Sequence, residues 1–204
     1  MAHHYLDTVF TSDVRAAQKR FYGREQALPP SPGPDALGPD EAAFIAEADS
    51  FYLGSVNTDG WPYVQHRGGP RGFLRVLDPH TLAFADLGGN RQIVSAGNVI
   101  ANDRVALFIM HYPRRQRLKL LGHASFVPAA DAPELSAQLA PPELAPRLVE
   151  RICRIRVVGF DWNCPKYITP RFTAAEVEEA LAPLRERVAA LESALQDAGL
   201  PPPV

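Results

Sequence analysis

Hydrophobic and polar positions alternate with a period of two through most of the middle of the chain, a pattern typical of half-buried β-strands. Turns that contain Gly, Pro, Asn or Asp separate the alternating stretches. The predicted strands are Phe51–Val56, Pro62–Gly68, Phe73–Leu77, Leu82–Leu87, Arg104–His111, Arg117–Val127 and Cys153–Trp162. Because few helices lie between them, we expect a mainly β (α+β) fold, an antiparallel barrel that removes its own edges.

A helical period of hydrophobic positions is found mainly outside this strand region. The predicted helices cover 12–24, 40–49 and 91–101, two short patches between 131 and 150, and a long segment from about Thr173. Either Thr11 or Ser12 is expected to cap the first of them. Five prolines between Pro29 and Pro39 predict an irregular connector. The first residues, including His3 and His4, are expected to be disordered.

The segment after Thr173 combines two helical signals. Thr173 to Glu176 has the form of a capping box. Beyond it, hydrophobic residues alternate spacings of four and three, as in a heptad seam: Val177, Leu181, Leu184, Val188, Leu191 and Leu195. Pro183 is expected to kink the helix. The seam could pack on the chain's own barrel, dock on a partner subunit or have no fixed packing.

Three regions are therefore expected along the chain. They are an N-terminal helix with its Pro-rich connector over 1–43, a barrel domain over 44–172 and a C-terminal helix over 173–204.

Composition narrows the possible functions only modestly. The 204 residues are 46% hydrophobic and 22% charged with a net charge of −2, which argues against whole-chain disorder and against a coat for nucleic acid or anionic membranes. No apolar run is long enough to span a membrane and no signal peptide is evident, so we expect a cytoplasmic protein. The two cysteines, Cys153 and Cys164, form no CxxC pair, and the strand histidines have no metal-ligand spacing, so no metal is expected.

The common catalytic and nucleotide motifs are absent from the sequence. It contains no GxGxxG, GxxxxGK[ST], GxSxG or HExxH. Three basic segments remain, namely 65–75, 88–92 and 114–119, and glycines interrupt the first two. Their cations, Arg67, Arg75, Arg91, Arg117 and Lys119, could converge on one small phosphate ester. The alternative is that they are solvated at the barrel rim or paired with Asp78, Asp86 and Asp103.

These segments resemble the pyridoxamine 5'-phosphate oxidase-like family of FMN-binding split-barrel proteins. The resemblance runs from about Phe44 to Phe172. It is carried by an ordered series of motifs: Phe51–Tyr63, Gly72–Asp78, Leu82–Gln92, Asn102–Phe108 and Arg117–His123. The ending from Phe160 to Phe172 is similar to that of a related branch of the family and not to that of the true oxidase.

The resemblance implies an antiparallel Greek-key split barrel that forms a homodimer with two FMN sites at the interface. The strand from His66 to Arg75 would lay its backbone along the flavin, and Ala85 and Asp86 would also contact it. The phosphate would be held at Asn90, Arg91 and Gln92. Since Gln92 replaces a lysine, a further cation is expected from Arg75 or Lys119. The flavin-contacting strand includes Arg67, Gly68, Phe73 and Leu74.

Three other residues receive roles from the resemblance. Arg117 would occupy the place of a glutamine at the polar edge of the flavin, where a positive group stabilises reduced flavin. Trp162 and Arg171 would match a C-terminal Trp and Arg of the family.

The implied function is that of an FMN-dependent oxidoreductase with an unassigned small-molecule substrate. The true oxidase has an Arg-x-His pair near its C-terminus, and the corresponding stretch here is Thr169–Phe172, so oxidation of pyridoxamine phosphate is not expected. No catalytic residue is identified, and no nucleic-acid or membrane partner is expected. The alternatives are a non-catalytic flavin- or haem-binding carrier or sensor, and a structural dimer with a vestigial pocket.

Overall fold

The structure, a computed structural model, describes residues 4–142, 148–162 and 166–200. Its centre is one antiparallel seven-stranded sheet with the strand order β2-β1-β5-β6-β7-β4-β3. The strands are β1 (Ser50–Val56), β2 (Pro62–Gly68), β3 (Arg75–Asp78), β4 (Thr81–Leu87), β5 (Arg104–His111), β6 (Gln116–Pro128) and β7 (Val149–Trp162). The predicted mainly β split-barrel class is confirmed, and β2 and β5 have the predicted bounds.

Strand alternation gives the sheet an inner and an outer face. The inner face forms the main core, which includes Phe51, Leu53, Leu107, Ile109, Leu118 and Leu120. Arg67 of the edge strand β2 contacts Asp86 of β4, although β4 lies near the other end of the strand order. This contact shows that the sheet is strongly curled. The two ends of the sheet thus approach each other, but β2 and β3 each pair with one strand only in the described part of the chain, so the expected removal of the sheet edges is incomplete.

Helices lie around the sheet. They are α1 (His4–Val9), α2 (Ser12–Tyr22), α3 (Pro39–Glu47), α4 (Val94–Ala101), α5 (Pro133–Leu139) and α6 (Ala174–Asp197), with a 3₁₀ turn over Ala129–Asp131. The segment 143–147, where a further helical patch was expected, lies outside the described residues. Thr11 caps α2, accepting a hydrogen bond from the Val14 N–H at 3.4 Å. No helix in the described ranges is both long and apolar enough to cross a bilayer.

The expectation that His4 is disordered is wrong. His4 begins α1, and Asp35 from the Pro-rich connector accepts hydrogen bonds from the backbone N–H groups of His4 (3.2 Å) and Tyr5 (3.1 Å). The helix approaches β7 so closely that a Cβ on Gly159 would lie 2.6 Å from the Tyr5 nitrogen. These long-range contacts order α1, a segment for which the local sequence contains no helix signal. His3 lies outside the described residues.

The C-terminal helix α6 is exposed along almost its whole length. It continues through Pro183, and none of its described residues is buried. Packing of the seam on the chain's own barrel is therefore not what the structure shows.

Candidate functional site

The junction between β4 and α4 has strained backbone. Arg91 and Ile93 both have positive φ, at 59° and 54°. A β-branched residue in this region is rare, and such strain costs on the order of 1–3 kcal/mol and clusters at binding sites. This geometry delays the start of α4 to Val94, three residues later than the sequence predicts. The Asn90 side chain accepts the Gln92 N–H at 3.1 Å and shapes the junction.

The junction forms one wall of a cavity of about 240 Å³. The opposite wall is the inner face of β2, where Tyr63, Gln65 and Arg67 alternate. The lining also includes Asn90, Arg91 and Gln92, together with Glu150 and Arg151 of β7. We call this the junction cavity. Its lining combines three guanidinium groups, amides and the start of a helix, which bind anions, with the carboxylates of Asp86 and Glu150, which offset part of the positive charge.

A buried carboxylate organises the arginines of the junction cavity. Asp86 is 3% exposed, and it accepts hydrogen bonds from Arg67 Nη1 at 2.5 Å and Arg151 Nε at 2.8 Å. The guanidinium carbon of Arg67 also lies 5.6 Å from the centre of the Phe84 ring. Arg91, by contrast, is exposed at the mouth of the cavity. Asp86 thus holds one arginine rigidly while another remains available to a ligand.

A second cluster of predicted site residues lies on the outer face of the sheet. Arg117 lies 5.7 Å from the Phe108 ring, and Arg171 lies 4.9 Å from the Tyr112 ring. These four residues share a cavity of about 280 Å³ with Tyr52 and the loop 167–169. We call it the outer cavity. The Nε of Arg117 is buried there and has no hydrogen-bond partner among the described residues.

Other predicted site residues have their side chains engaged elsewhere. Phe73 and Leu74 belong to the main core, where Phe73 stacks on Phe51 at 5.7 Å. Ala85 faces the smaller second core cluster. Arg75 is exposed and lies opposite Ala83 of β4, on the face away from Asp86.

The remaining predicted residues are held by side-chain partners or lie on the outer surface. Lys119 pairs with Asp161 at 2.7 Å and lies 4.9 Å from the Tyr5 ring, whose hydroxyl pKa is raised by burial and partly lowered by that lysine. Trp162 donates its indole N–H to Glu41 at 2.6 Å. On β2, His66 packs edge-on against Tyr52 at 5.7 Å, and Gly68 is exposed.

The hypothesis that the five cations converge is therefore wrong for a single chain. Arg67 pairs in register with Phe51 on the inner face, whereas Arg117 and Lys119 pair with Met110 and Phe108 on the outer face. Strand alternation separates these groups by the thickness of the sheet. The structure brings Arg67 and Arg91 to one cavity and Arg117 and Arg171 to the other.

A comparison with protein-family models finds that of pyridoxamine 5'-phosphate oxidase over residues 37–152, more than half of the chain. The chain belongs to this family. None of the curated proteins compared with it is similar in sequence.

Solved structures similar to this family member have low sequence identity. One is a putative pyridoxamine 5'-phosphate oxidase from Lactobacillus delbrueckii (21% identity, 62% of this chain and 93% of that chain, TM-score 0.48). Another is HupZ of Group A Streptococcus (12% identity, 67% of this chain and 99% of that chain, TM-score 0.49). A third is HutZ, described as a heme storage protein, from Vibrio cholerae (15% identity, 62% of this chain and 94% of that chain, TM-score 0.40).

Several residues of this family member's cavities are not evident from the sequence. Arg151 reaches Asp86 because the two residues are directly paired across β4 and β7. Gln65 accepts a hydrogen bond from Ser95 of α4 at 2.7 Å and so links β2 to the helix. Only the strand register could have identified Arg151. The positions of Tyr52 and Phe108 could be predicted from the sequence, because the period of two on β1 and β5 places both on the face opposite the core residues.

The buried thiol near the junction cavity has no evident chemical role. Cys153 of β7 pairs with Phe84 of β4, and burial raises the pKa of its thiol well above the usual range, although the Arg67 charge partly opposes this. The thiol is therefore protonated at neutral pH, and a nucleophilic role is not indicated.

Proposed function

We propose that the protein is an FMN-binding homodimer that acts as an oxidoreductase on a small-molecule substrate. The observation that carries this proposal is the junction cavity, which Arg67 and the strained Arg91 both line and which could receive a phosphate ester. Family membership supports a flavin as the ligand.

The phosphate end of FMN would lie in the junction cavity. Arg91 is free to approach the phosphate, and the N-terminal end of α4 adds backbone N–H groups and a favourable dipole. Asp86 keeps Arg67 in place and offsets its charge, so the charge for the phosphate would come mainly from Arg91. The cavity volume, about 240 Å³, is smaller than the roughly 300–1,000 Å³ typical of pockets that enclose a drug-sized ligand. One chain would thus hold only part of the cofactor.

The polar edge of the flavin ring would meet the outer cavity. The buried Arg117 Nε without a described partner is a donor that requires an acceptor. The carbonyl-rich pyrimidine edge of a flavin has such acceptors, and the aromatic side chains around it suit a flat ring.

The separation of the two cavities favours a dimer. They lie on opposite faces of the sheet, so a single flavin would contact both only if one chain supplied the phosphate site and a second chain the ring site. The outer surface of β1 and β2, and the turn before β2, also expose Tyr52 (39%), Trp61 (73%) and Val64 (65%), which a second copy would cover.

Bound FMN would supply the electron transfer, and the protein residues would bind and orient it. Neither cavity presents an evident general acid or base poised for catalysis in the described part of the chain. The substrate is therefore expected to be recognised by the open side of the dimer site, and pyridoxamine phosphate is not the expected substrate.

The proposal is tested by the visible spectrum of the purified protein and by titration with FMN. Arg91→Ala should weaken FMN binding by about tenfold or more, because a charge-assisted hydrogen bond to phosphate is lost. Arg104→Ala is the matched control, since Arg104 is exposed and lines neither cavity.

Other results of the spectrum and of the FMN titration would each favour a different function. A Soret band would favour a haem carrier, and a colourless protein that rejects FMN would favour a vestigial pocket. Tight FMN binding without substrate-coupled re-oxidation would favour a carrier or sensor. Equal FMN affinity of the Arg91→Ala variant and the parent would contradict the assignment of the junction cavity to the phosphate.

A further inference from the structure

The hydrophobic seam of α6 has no cover within the described chain. Val177, Leu181, Leu184, Val188 and Leu191 are all exposed, with Leu184 at 62% and Val188 at 52%. The helix is tied to the barrel near its first turn, where Arg71 Nη2 lies 3.7 Å from Glu176 Oε1. A stripe of this length in water is unusual for a soluble helix unless a partner covers it.

We propose that α6 pairs with α6 of a second copy of this chain as a parallel two-stranded coiled coil. In heptad positions, Leu181, Val188 and Leu195 occupy a, and Val177, Leu184 and Leu191 occupy d. The central layers combine a β-branched a residue, Val188, with leucine at d, which favours two parallel strands. The proline at 183 falls at position c, away from the seam.

The flanking charges favour a parallel arrangement. In a parallel pair, the g residue of one helix faces the e residue of the next heptad on the other. This places Arg187 against Glu192 of the second copy, and symmetry repeats the pair on the other side.

An antiparallel arrangement is disfavoured by the same charges. The register that buries all six seam residues sets Leu184 against Val188 and Leu191 against Leu181. It then brings Arg185 against itself and Glu178 against Glu192, which are like-charge contacts. Arg185 also forms an ion pair with Glu178 on its own helix. The charge pattern thus specifies orientation.

The seam covers just under three heptads, which is short for an independent coiled coil. A second barrel held nearby would raise the effective concentration of the partner helix. The inference thus uses the homodimer of the proposed function but not its flavin site.

Cysteine cross-linking of the full-length chain tests the pairing. In a Cys164→Ser background, Leu191→Cys should form homotypic disulfides at least about tenfold faster than Glu186→Cys at the outward f position, because a disulfide requires Cα atoms about 5.5–6 Å apart. In a mixture of Leu181→Cys and Leu191→Cys chains, parallel pairing gives homodimers. Preferential formation of the mixed disulfide would show antiparallel pairing and overturn the proposal.

A charge exchange tests the predicted orientation independently. Arg187→Glu should slow the cross-linking of Leu191→Cys by about fivefold, since it sets two like-charge contacts in place of two ion pairs. Addition of Glu192→Arg should restore the rate. Equal rates in all three chains would contradict the pairing.

The spectrum and the mass in solution separate this inference from the proposed function. A yellow dimer in which Leu191→Cys does not cross-link would overturn the coiled coil alone. A chain that cross-links but takes up no FMN would overturn the flavin site alone.

Discussion

At the scale of single residues, two arginines show how position alone gives the same side chain different tasks. Arg67 and Arg117 both extend from strands and both have a buried Nε without a partner among the described residues. Arg67 is bound to a buried carboxylate, whereas Arg117 lies near the Phe108 ring and has no carboxylate partner within the described ranges. A guanidinium without a nearby carboxylate can interact with charge that develops on a ligand.

The residue-scale prediction concerns the redox potential of bound FMN. Arg117→Gln should make the midpoint potential more negative by about 30–60 mV, because it removes a positive charge worth about 1–3 kcal/mol to the reduced anionic flavin while it keeps a donor. Spectroelectrochemical titration measures the shift. Arg117→Lys, which keeps the charge, should stay near the parent value, and an unchanged potential in Arg117→Gln would rule out this role.

At the scale of elements, helix caps are the signals that transfer most directly from sequence to structure. Thr173 and Glu176 form the predicted capping box: the Glu176 carboxylate accepts the Thr173 N–H at 2.8 Å, and the Thr173 hydroxyl accepts the Glu176 N–H at 3.2 Å. The cap fixes the start of α6 close to Arg71, while the rest of the helix leaves its seam uncovered. The helix that carries the seam therefore starts at a residue that its own capping box determines, and the proposed pairing uses that helix.

The element-scale prediction concerns pH. Hydrogen bonds from the backbone and hydroxyl of Thr173 lower the pKa of Glu176 below the ordinary glutamate value. Because the folded-state pKa is the lower one, the cap stabilises the helix fully above the ordinary value and is lost as pH falls through the folded-state value. Thr173→Ala should raise the pKa of Glu176 part of the way toward the ordinary value in an NMR titration, because the hydroxyl is lost while the backbone N–H remains. Thr173→Ser should keep the pKa as low as in the parent, and an unchanged pKa in Thr173→Ala would show that the hydroxyl does not contribute.

At the scale of the whole molecule, Asp86 connects three strands that are distant in the chain. It ties β2 to β4 and β7 through Arg67 and Arg151, which brings the ends of the curled sheet together. The same contacts position the junction cavity. The residues that bring the ends of the sheet together therefore also line the candidate phosphate site. The division of the chain into regions 1–43, 44–172 and 173–204 remains a prediction.

The molecule-scale prediction is a loss of stability on removal of that carboxylate. Asp86→Ala should lower the free energy of unfolding by about 3 kcal/mol, because the partly buried Arg67 loses its carboxylate partner and Arg151 keeps only Glu150. Denaturant unfolding measures the change. Asp103→Ala is the control, since Asp103 is 56% exposed beside His123 and its loss should cost less than about 1 kcal/mol. Equal losses in the two variants would show that Asp86 does not close the sheet.

The sequence by itself determined the features that depend on neighbours along the chain. The period of two defined β2 and β5, a cap at Thr11 or Ser12 and the cap at Thr173 marked helix starts, and the ordered motifs indicated the family. These features follow from backbone geometry and side-chain alternation over a few residues.

Only the tertiary structure decided which face of the curled sheet each charge occupies and which distant residue meets it. The pairing of Asp86 with Arg151, the ordering of His4 by Asp35 and the separation of Arg67 from Arg117 all depend on register between strands or on long-range contacts. A register shift of one residue reverses the face of every side chain, and no local pattern specifies that register between distant segments.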